Sequence, residues 1–393
     1  MKDTNLFYYP FLLALLFYFI RTAMFWYSSL NYGVSTHDIW LYVSLLTTEV
    51  IIFLFILYYL INHRVLGSGV HIICLLWFLF ALITAIYARN NTQSVLKMII
   101  WPILFEATYL FIKDSPGRIV EMRYFYFLVM LIGFTAFASA LLLKRFGTQT
   151  NMVYFMVLTV PFLLLIKSKK WRSIILAVAT LAVLFSMKRS MMLAFALFWA
   201  IISALYLFRS GRIVEAIVVF ILMVGIGYYS FDFVDSISGG FLSSRFEDED
   251  MSNGRETIYE YTWQMIMNSD VEEWVLGHGH NAVFEDSPLT ISAHNEFLEV
   301  IYDYGIIVLV LYLFFWLYVV RRWLFHMRCQ TIYYIPYTLS ICIFAVMAMV
   351  SQLILYASYF LYLVMFWAAV EAVTENDYKE YRRLRRARKA YSR

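Results

Sequence analysis

His294 and Asn295 stand where a long polar stretch turns back into an apolar one. The positive end of a helix disfavours an imidazolium, so a histidine there stays neutral near pH 7, the state a general base requires. The same position also suits a residue that begins a helix by hydrogen bonding, and residue type leaves both readings open. Arg245 and Arg255 are the only arginines, and there is no lysine, between positions 231 and 303, a stretch made acidic by Glu247, Asp248, Glu249, Asp250, Glu272, Glu273, Glu285 and Asp286. Lys188 and Arg189 interrupt two apolar runs. Guanidinium groups so placed can hold a phosphate by paired hydrogen bonds. The plainer reading pairs Arg245 with Glu247 or Asp248 and Arg255 with Glu256, each pair worth about 0 to 1 kcal/mol. His278 and His280 lie two apart in a glycine-rich turn without a neighbouring cysteine or an HExxH helix, so neither a metal centre nor a cofactor loop is expected.

The elements that position these groups follow from composition. Of 393 residues, 62% are hydrophobic and only 15% charged, against about 25% charged in a soluble domain. There is too little charge to coat a water-facing exterior. A hydrocarbon core of about 30 Å takes about 20 helical residues. On that ruler the chain divides into twelve segments: 8–30, 39–61, 70–88, 95–112, 123–143, 151–167, 172–187, 190–208, 213–230, 303–320, 332–350 and 352–370. The expectation is an all-α polytopic membrane protein, one transmembrane domain over 1–393. A large, partly helical loop at 231–303 joins the ninth and tenth spans, and a basic tail follows at 371–393. The first apolar run has no small-residue cleavage site and reads as a retained helix. Cys74, Cys329 and Cys342 supply no disulfide framework.

Basic residues cluster in alternate connections (Arg64; Lys113, Arg118 and Arg123; Lys167 to Arg172; Arg209 and Arg212; Arg321 to Arg328) and in the tail. The positive-inside bias puts these sides and both termini in the cytoplasm, and the 231–303 loop outside. Within that loop, Ser252-Asn253-Gly254 offers a helix start. Ile258, Tyr261, Trp263, Met265 and Ile266 then predict a short amphipathic helix on the outer surface. Gly277 to Asn281 reads as a turn, and a second helix from Ala293 runs into the tenth span. Arg21, Glu49 and Glu106 fall near mid-membrane, where charges are costly, so an Arg21 pair with Glu49 or Glu106 is expected. His71 and Gln352 read as interface or packing residues.

Together these features resemble the O-antigen ligase and O-antigen polymerase superfamily of bacterial membrane glycosyltransferases. His294-Asn295, nine residues and Gly305 are similar to its H-N-x9-G motif. Asn253 to Tyr259, followed by Trp274 to Gly279, is similar to the stretch that precedes that motif, and Lys188-Arg189-Ser190 to a basic turn before a later span. Val308 departs from the small or polar residue usual three positions after the motif glycine. The resemblance implies an inverting glycosyltransferase of the bacterial inner membrane, without metal or cofactor, that uses an undecaprenyl-diphosphate-linked glycan as donor for O-antigen lipopolysaccharide or capsular exopolysaccharide. By that resemblance His294 is the catalytic base, and Arg189, Arg245 and Arg255 hold the diphosphate. Lys188, His280 and Asn295 are accessory candidates. The acceptor is a second lipid-linked glycan in a polymerase or the lipid A core in a ligase. Polymerase is the first reading, since polymerases are divergent and occur in many capsule and O-antigen gene clusters. Membrane lipids and a chain-length regulator are the other implied partners, and nucleic acid is not one. The acidic remainder of the loop is expected to be solvated or sugar-facing. A lipid-linked glycan transporter with Arg21, Glu49 and Glu106 along its path is the alternative from another class; it would ordinarily show matching broken helices in two halves.

Overall fold

The computed structural model describes residues 5–32, 39–62, 69–87, 92–142, 153–186, 188–210, 254–354 and 356–391, with isolated positions between 214 and 243. Among these the chain is helical and has no strand. The long helices before the loop are α1 (Asn5–Tyr32), α2 (Ile39–Asn62), α3 (Gly69–Tyr87), α4 (Thr92–Asp114) and α5 (Arg118–Leu142). Two short helices follow, α6 (Val153–Val157) and α7 (Val160–Leu163), then α8 (Lys169–Ser186) and α9 (Arg189–Ser210). The loop region holds α10 (Arg255–Asn268), α11 (Val271–Leu276) and α12 (Ala282–Asp286). The chain closes with α13 (Glu296–Arg328), α14 (Tyr334–Val350) and α15 (Ala357–Tyr391).

Three stretches, Val95–Asp114, Arg189–Leu207 and Glu296–Arg328, are long and apolar enough to cross a membrane by length and composition. Shorter apolar helices lie at Tyr9–Arg21, Leu46–Tyr58, Gly69–Thr84, Val153–Leu163 and Tyr334–Val350. Most of the expected ninth span, 213–230, lies outside the described residues. The sixth differs from expectation: it is two short buried helices rather than one span. Pro161 has no amide hydrogen to continue the ladder, and the chain turns at Leu158 and Thr159 before α7 begins. The last helix starts at Ala357 and runs through the basic tail without a break.

The expected mid-membrane pair also differs. Glu106 binds His71, whose Nδ1 lies 2.8 Å from its carboxylate, and both oxygens of Glu49 are buried without a hydrogen-bond partner. Among the described residues no ion pair joins Arg21 to either acid. His71 is a hydrogen-bonding partner of that carboxylate rather than a packing residue, because a carboxylate set among apolar helices needs a donor.

α4 lies along α15, and α13 packs on α3 and α14. An aromatic cluster joins them. The Trp101 ring lies 5.0 Å from Phe315, Phe315 lies 5.7 Å from Trp367, and Trp367 lies 5.0 Å from Phe344. α13 is thereby anchored in the core, and its first three turns, with Val300 and Tyr304 in that core, form the platform on which the loop packs.

That platform is set by a kink. Gly305 interrupts α13 at φ 78°, ψ 175°, a region open essentially to glycine. The break frees the carbonyls of Tyr302 and Asp303 from the helix ladder. They accept instead from the amides of His278 at 3.0 Å and Gly279 at 2.9 Å. Gly277 and Gly305 face each other so closely that a Cβ on the first would collide with the Asp303 carbonyl, and one on the second with the Val275 carbonyl. The motif glycine is thus required by backbone contact. Gly305→Ala is expected to cost about 2 kcal/mol or more through strain and clash, measured by thermal unfolding of the detergent-solubilised protein. A loss below about 0.5 kcal/mol would show that this approach is dispensable.

Candidate active site

α13 begins at Glu296 rather than Ala293, because Asn295 takes the capping position. Its side chain accepts from the amides of Phe297 at 3.0 Å and Leu298 at 3.3 Å. Asn295 is therefore the helix cap, which removes that duty from His294. The backbone of His294 sits in the left-handed region at φ 53°. Its carbonyl accepts from the Tyr259 hydroxyl at 3.3 Å and its amide is held by Glu299. Among the described residues no hydrogen bond engages its imidazole.

His294 borders a cavity of about 370 Å³ lined also by Asn281, Phe284, Thr290, Ile291, Ser292 and Tyr356. Four described residues other than glycine adopt positive φ, and three of them, Asn281, Thr290 and His294, line this cavity. Non-glycine residues held in the left-handed region cluster at functional sites, where surrounding contacts over-determine the strain.

Those contacts come from a row of carboxylates on α13. Glu296, Glu299 and Asp303 share one helical face and are 0%, 1% and 0% exposed. Glu299 accepts from the amide of Ala293 at 2.5 Å and from Gln352 Nε2 at 2.7 Å. Asp303 accepts from the amides of Asn281 at 2.7 Å and Val283 at 3.1 Å, holding the start of α12. Glu296 accepts from the Tyr312 hydroxyl and the Ile354 amide. These three acids are thus buried positioning residues and not solvated loop surface; a buried carboxylate persists only where donors meet it. Gln352, expected as packing, is one of those donors. An acidic row at i, i+3 and i+7 entering an apolar helix was the available signal for it.

The cations arrive from other elements. Arg255 is the first residue of α10, behind Gly254 at φ 72°, and is half-buried. Among the described residues no ion pair engages it, with Glu256 or any other acid. The helix start adds its own positive potential there. Lys188 precedes α9, its ammonium 5.4 Å from the centre of the Tyr154 ring, and the Tyr154 hydroxyl lies 3.1 Å from Ser190 Oγ. Burial, then the charge of Arg255, then that of Lys188, push the His294 pKa below its ordinary 6.5. Two cations from separate segments thus act on one imidazole. Lys188 is one of the charges acting there, and Arg189 opens α9 one residue on. Arg245 lies outside the described residues.

His280 sits apart from this group. Its Nδ1 is 2.6 Å from the Tyr304 hydroxyl, and burial with the Lys97 charge pushes its pKa down to about 3. His278 stacks on Tyr302 at 3.9 Å between ring centres, and its Nδ1 lies 3.1 Å from the Tyr302 carbonyl, so it secures the turn. On α10 the buried face is Ile258, Thr262 and Ile266, while Tyr261 and Trp263 are exposed, contrary to the predicted apolar face. The reason is the helical period: residues four apart share a face, and Tyr261 and Trp263 lie off it.

Residues 174–313, roughly a third of the chain, match the family model described as O-antigen ligase. No curated protein and no solved structure matches. The matched segment spans Lys188, Arg255, His294 and Gly305, and it supports the O-antigen ligase/polymerase superfamily, a family of bacterial membrane proteins.

Two outcomes follow from this geometry. Asn295→Ala should cost about 1 kcal/mol of stability through the lost cap, whereas His294→Ala should stay within about 0.5 kcal/mol, both read from thermal unfolding. The rate at which diethyl pyrocarbonate acylates His294 should fall only as pH drops through a value below 6.5. Arg255→Gln and Lys188→Gln should each move that limb upward, since each removes a charge that opposes protonation. An unmoved limb would mean that the charges do not reach the ring.

Proposed function

We propose that this chain of the O-antigen ligase/polymerase superfamily transfers a glycan from an undecaprenyl-diphosphate carrier to a sugar hydroxyl on the periplasmic side of the bacterial inner membrane. The observation that carries this reading is an unengaged imidazole on a cavity under the charge of two cations from separate segments. His294 takes the proton of the acceptor hydroxyl as its oxygen attacks the anomeric carbon. The bond from that carbon to the diphosphate oxygen breaks, and the configuration inverts. Charge gathering on the leaving diphosphate is met by Arg255 and Lys188, with Arg189 and Arg245 completing the set; fixed cations at a partly water-poor surface suit that task. On this reading the cations do the work a divalent metal does in other diphosphate-dependent transferases. The buried Glu299 acts through the backbone of residues 293 and 294 and is a positioning residue.

Both termini then face the cytoplasm, with the 231–303 loop carrying part of the site within one transmembrane domain and the basic tail at 371–393 inside. Polymerisation, with a second lipid-linked glycan as acceptor and a chain-length regulator as partner, is the first reading. Ligation to the lipid A core is the second, favoured by the family model's description and the H-N-x9-G spacing.

Purified protein with an undecaprenyl-diphosphate oligosaccharide should form a glycan ladder that persists in chelator. His294→Ala and Arg255→Ala should each lower the rate by at least about a hundredfold. A single transfer to lipid A core in place of the ladder would select ligation. Full activity in both variants would overturn the site, and glycan movement across vesicles without transfer would make the protein a transporter.

A further inference from the structure

The straight part of α13, from Gly305 to Arg328, rises about 35 Å at 1.5 Å per residue, enough to cross a hydrocarbon core of about 30 Å. Its far end therefore emerges on the membrane face opposite His294. There α13 meets the extension of α15, and the two enclose a second cavity of about 340 Å³. Arg321 and Arg328 from α13 and Arg382 and Arg385 from α15 line it, together with Tyr378 and Tyr381.

Four like charges around one cavity call for a counter-charge, and the described residues do not supply it. Among the described residues none of the four is in an ion pair. The acids of α15 nearest the core are committed elsewhere: Glu371 to Arg322 at 2.6 Å, and Glu375 to Lys113 at 2.8 Å and Lys379 at 2.7 Å. Asp377 and Glu380 are exposed and pair with none of the four. The wall behind the cavity is fixed. Arg322 is 1% exposed, its guanidinium 4.2 Å from the Tyr378 ring centre, and Phe325 packs against Tyr378 at 5.2 Å and Tyr381 at 5.3 Å. Leu324 and Phe325 give the lining an apolar side.

We infer that this cavity binds the phosphate group of an anionic membrane lipid, with the arginines on the phosphate and the apolar side against the start of the acyl chains. Guanidinium forks match phosphate oxygens, and the membrane–water boundary supplies an amphiphile where a free ion would leave the apolar wall wet. The inference is independent of the glycan chemistry at His294.

The test uses the full chain in detergent, titrated separately with phosphatidylglycerol, phosphatidylcholine and inorganic phosphate, with bound species counted by native mass spectrometry. Wild type should hold phosphatidylglycerol about tenfold or more tighter than phosphatidylcholine. Arg328→Gln with Arg382→Gln should lose that preference, and so should Arg321→Gln with Arg385→Gln, so a folding failure in one pair does not decide the matter. Arg383→Gln, an exposed arginine of α15 outside the cavity, should keep it. An equal loss in Arg383→Gln would reduce the effect to general surface charge and overturn the site. Retention in both double variants would overturn it too, as would phosphate binding without lipid preference, which would make the ligand a free anion.

Discussion

The arrangement around His294 depends on one backbone exchange. A helix that enters an apolar core must satisfy its carbonyls internally or find donors elsewhere. At Gly305 the α13 ladder breaks, and the amides of the 277–279 turn complete it. That substitution welds the loop to the helix at a depth set by two glycines without side chains between them. Everything C-terminal of the turn is then placed relative to the core: α12 through Asp303, the irregular run at 290–294 through Glu299, and the α14–α15 connection through Glu296. Without the kink, the three carboxylates would have no irregular backbone to receive.

The acids explain how left-handed backbone survives at three positions around one cavity. Such conformations cost of order 1 to 3 kcal/mol each and persist only where neighbours fix them. Two of the three flank amides that α13 carboxylates accept: Asn281 directly by Asp303, and His294 by Glu299 beside Ala293. The residues that shape the site are therefore mostly not those that face the cavity. Tyr259 shows the same division, its hydroxyl tying the His294 carbonyl to the Met349 carbonyl of α14.

Much of this was legible in the sequence where periodicity and spacing carry the information. The helical class, the turn at Gly277 to Asn281, the helix from Arg255 and the helix entering the core after His294 follow from apolar period and turn residues. The H-N-x9-G spacing drew attention to Gly305 without giving its reason, which is a contact with a segment twenty-eight residues earlier, at Gly277. What sequence could not supply were pairings between distant helices. His71 with Glu106, Gln352 with Glu299 and Tyr259 with Met349 depend on which faces meet, and a one-dimensional pattern records only that each side is polar. The break at Pro161 was hidden for another reason: its flanks are apolar enough to pass for a continuous span.

The electrostatics of the site carry an order of events within the proposed reaction. Burial, and after it the charges of Arg255 and Lys188, lower the basicity of His294. A base weakened in this way abstracts a sugar hydroxyl proton poorly, which defeats its purpose only if the cations keep acting alone. A bound diphosphate carries charge opposite to theirs and would offset their field at the imidazole, so the part of the suppression that the cations cause would lift when the donor is in place. Arg255 and Lys188 would then serve twice, holding the leaving group and suppressing proton abstraction until that group arrives. Water entering the donor-free cavity would meet a weak base, and an acceptor hydroxyl entering the loaded cavity would meet a stronger one.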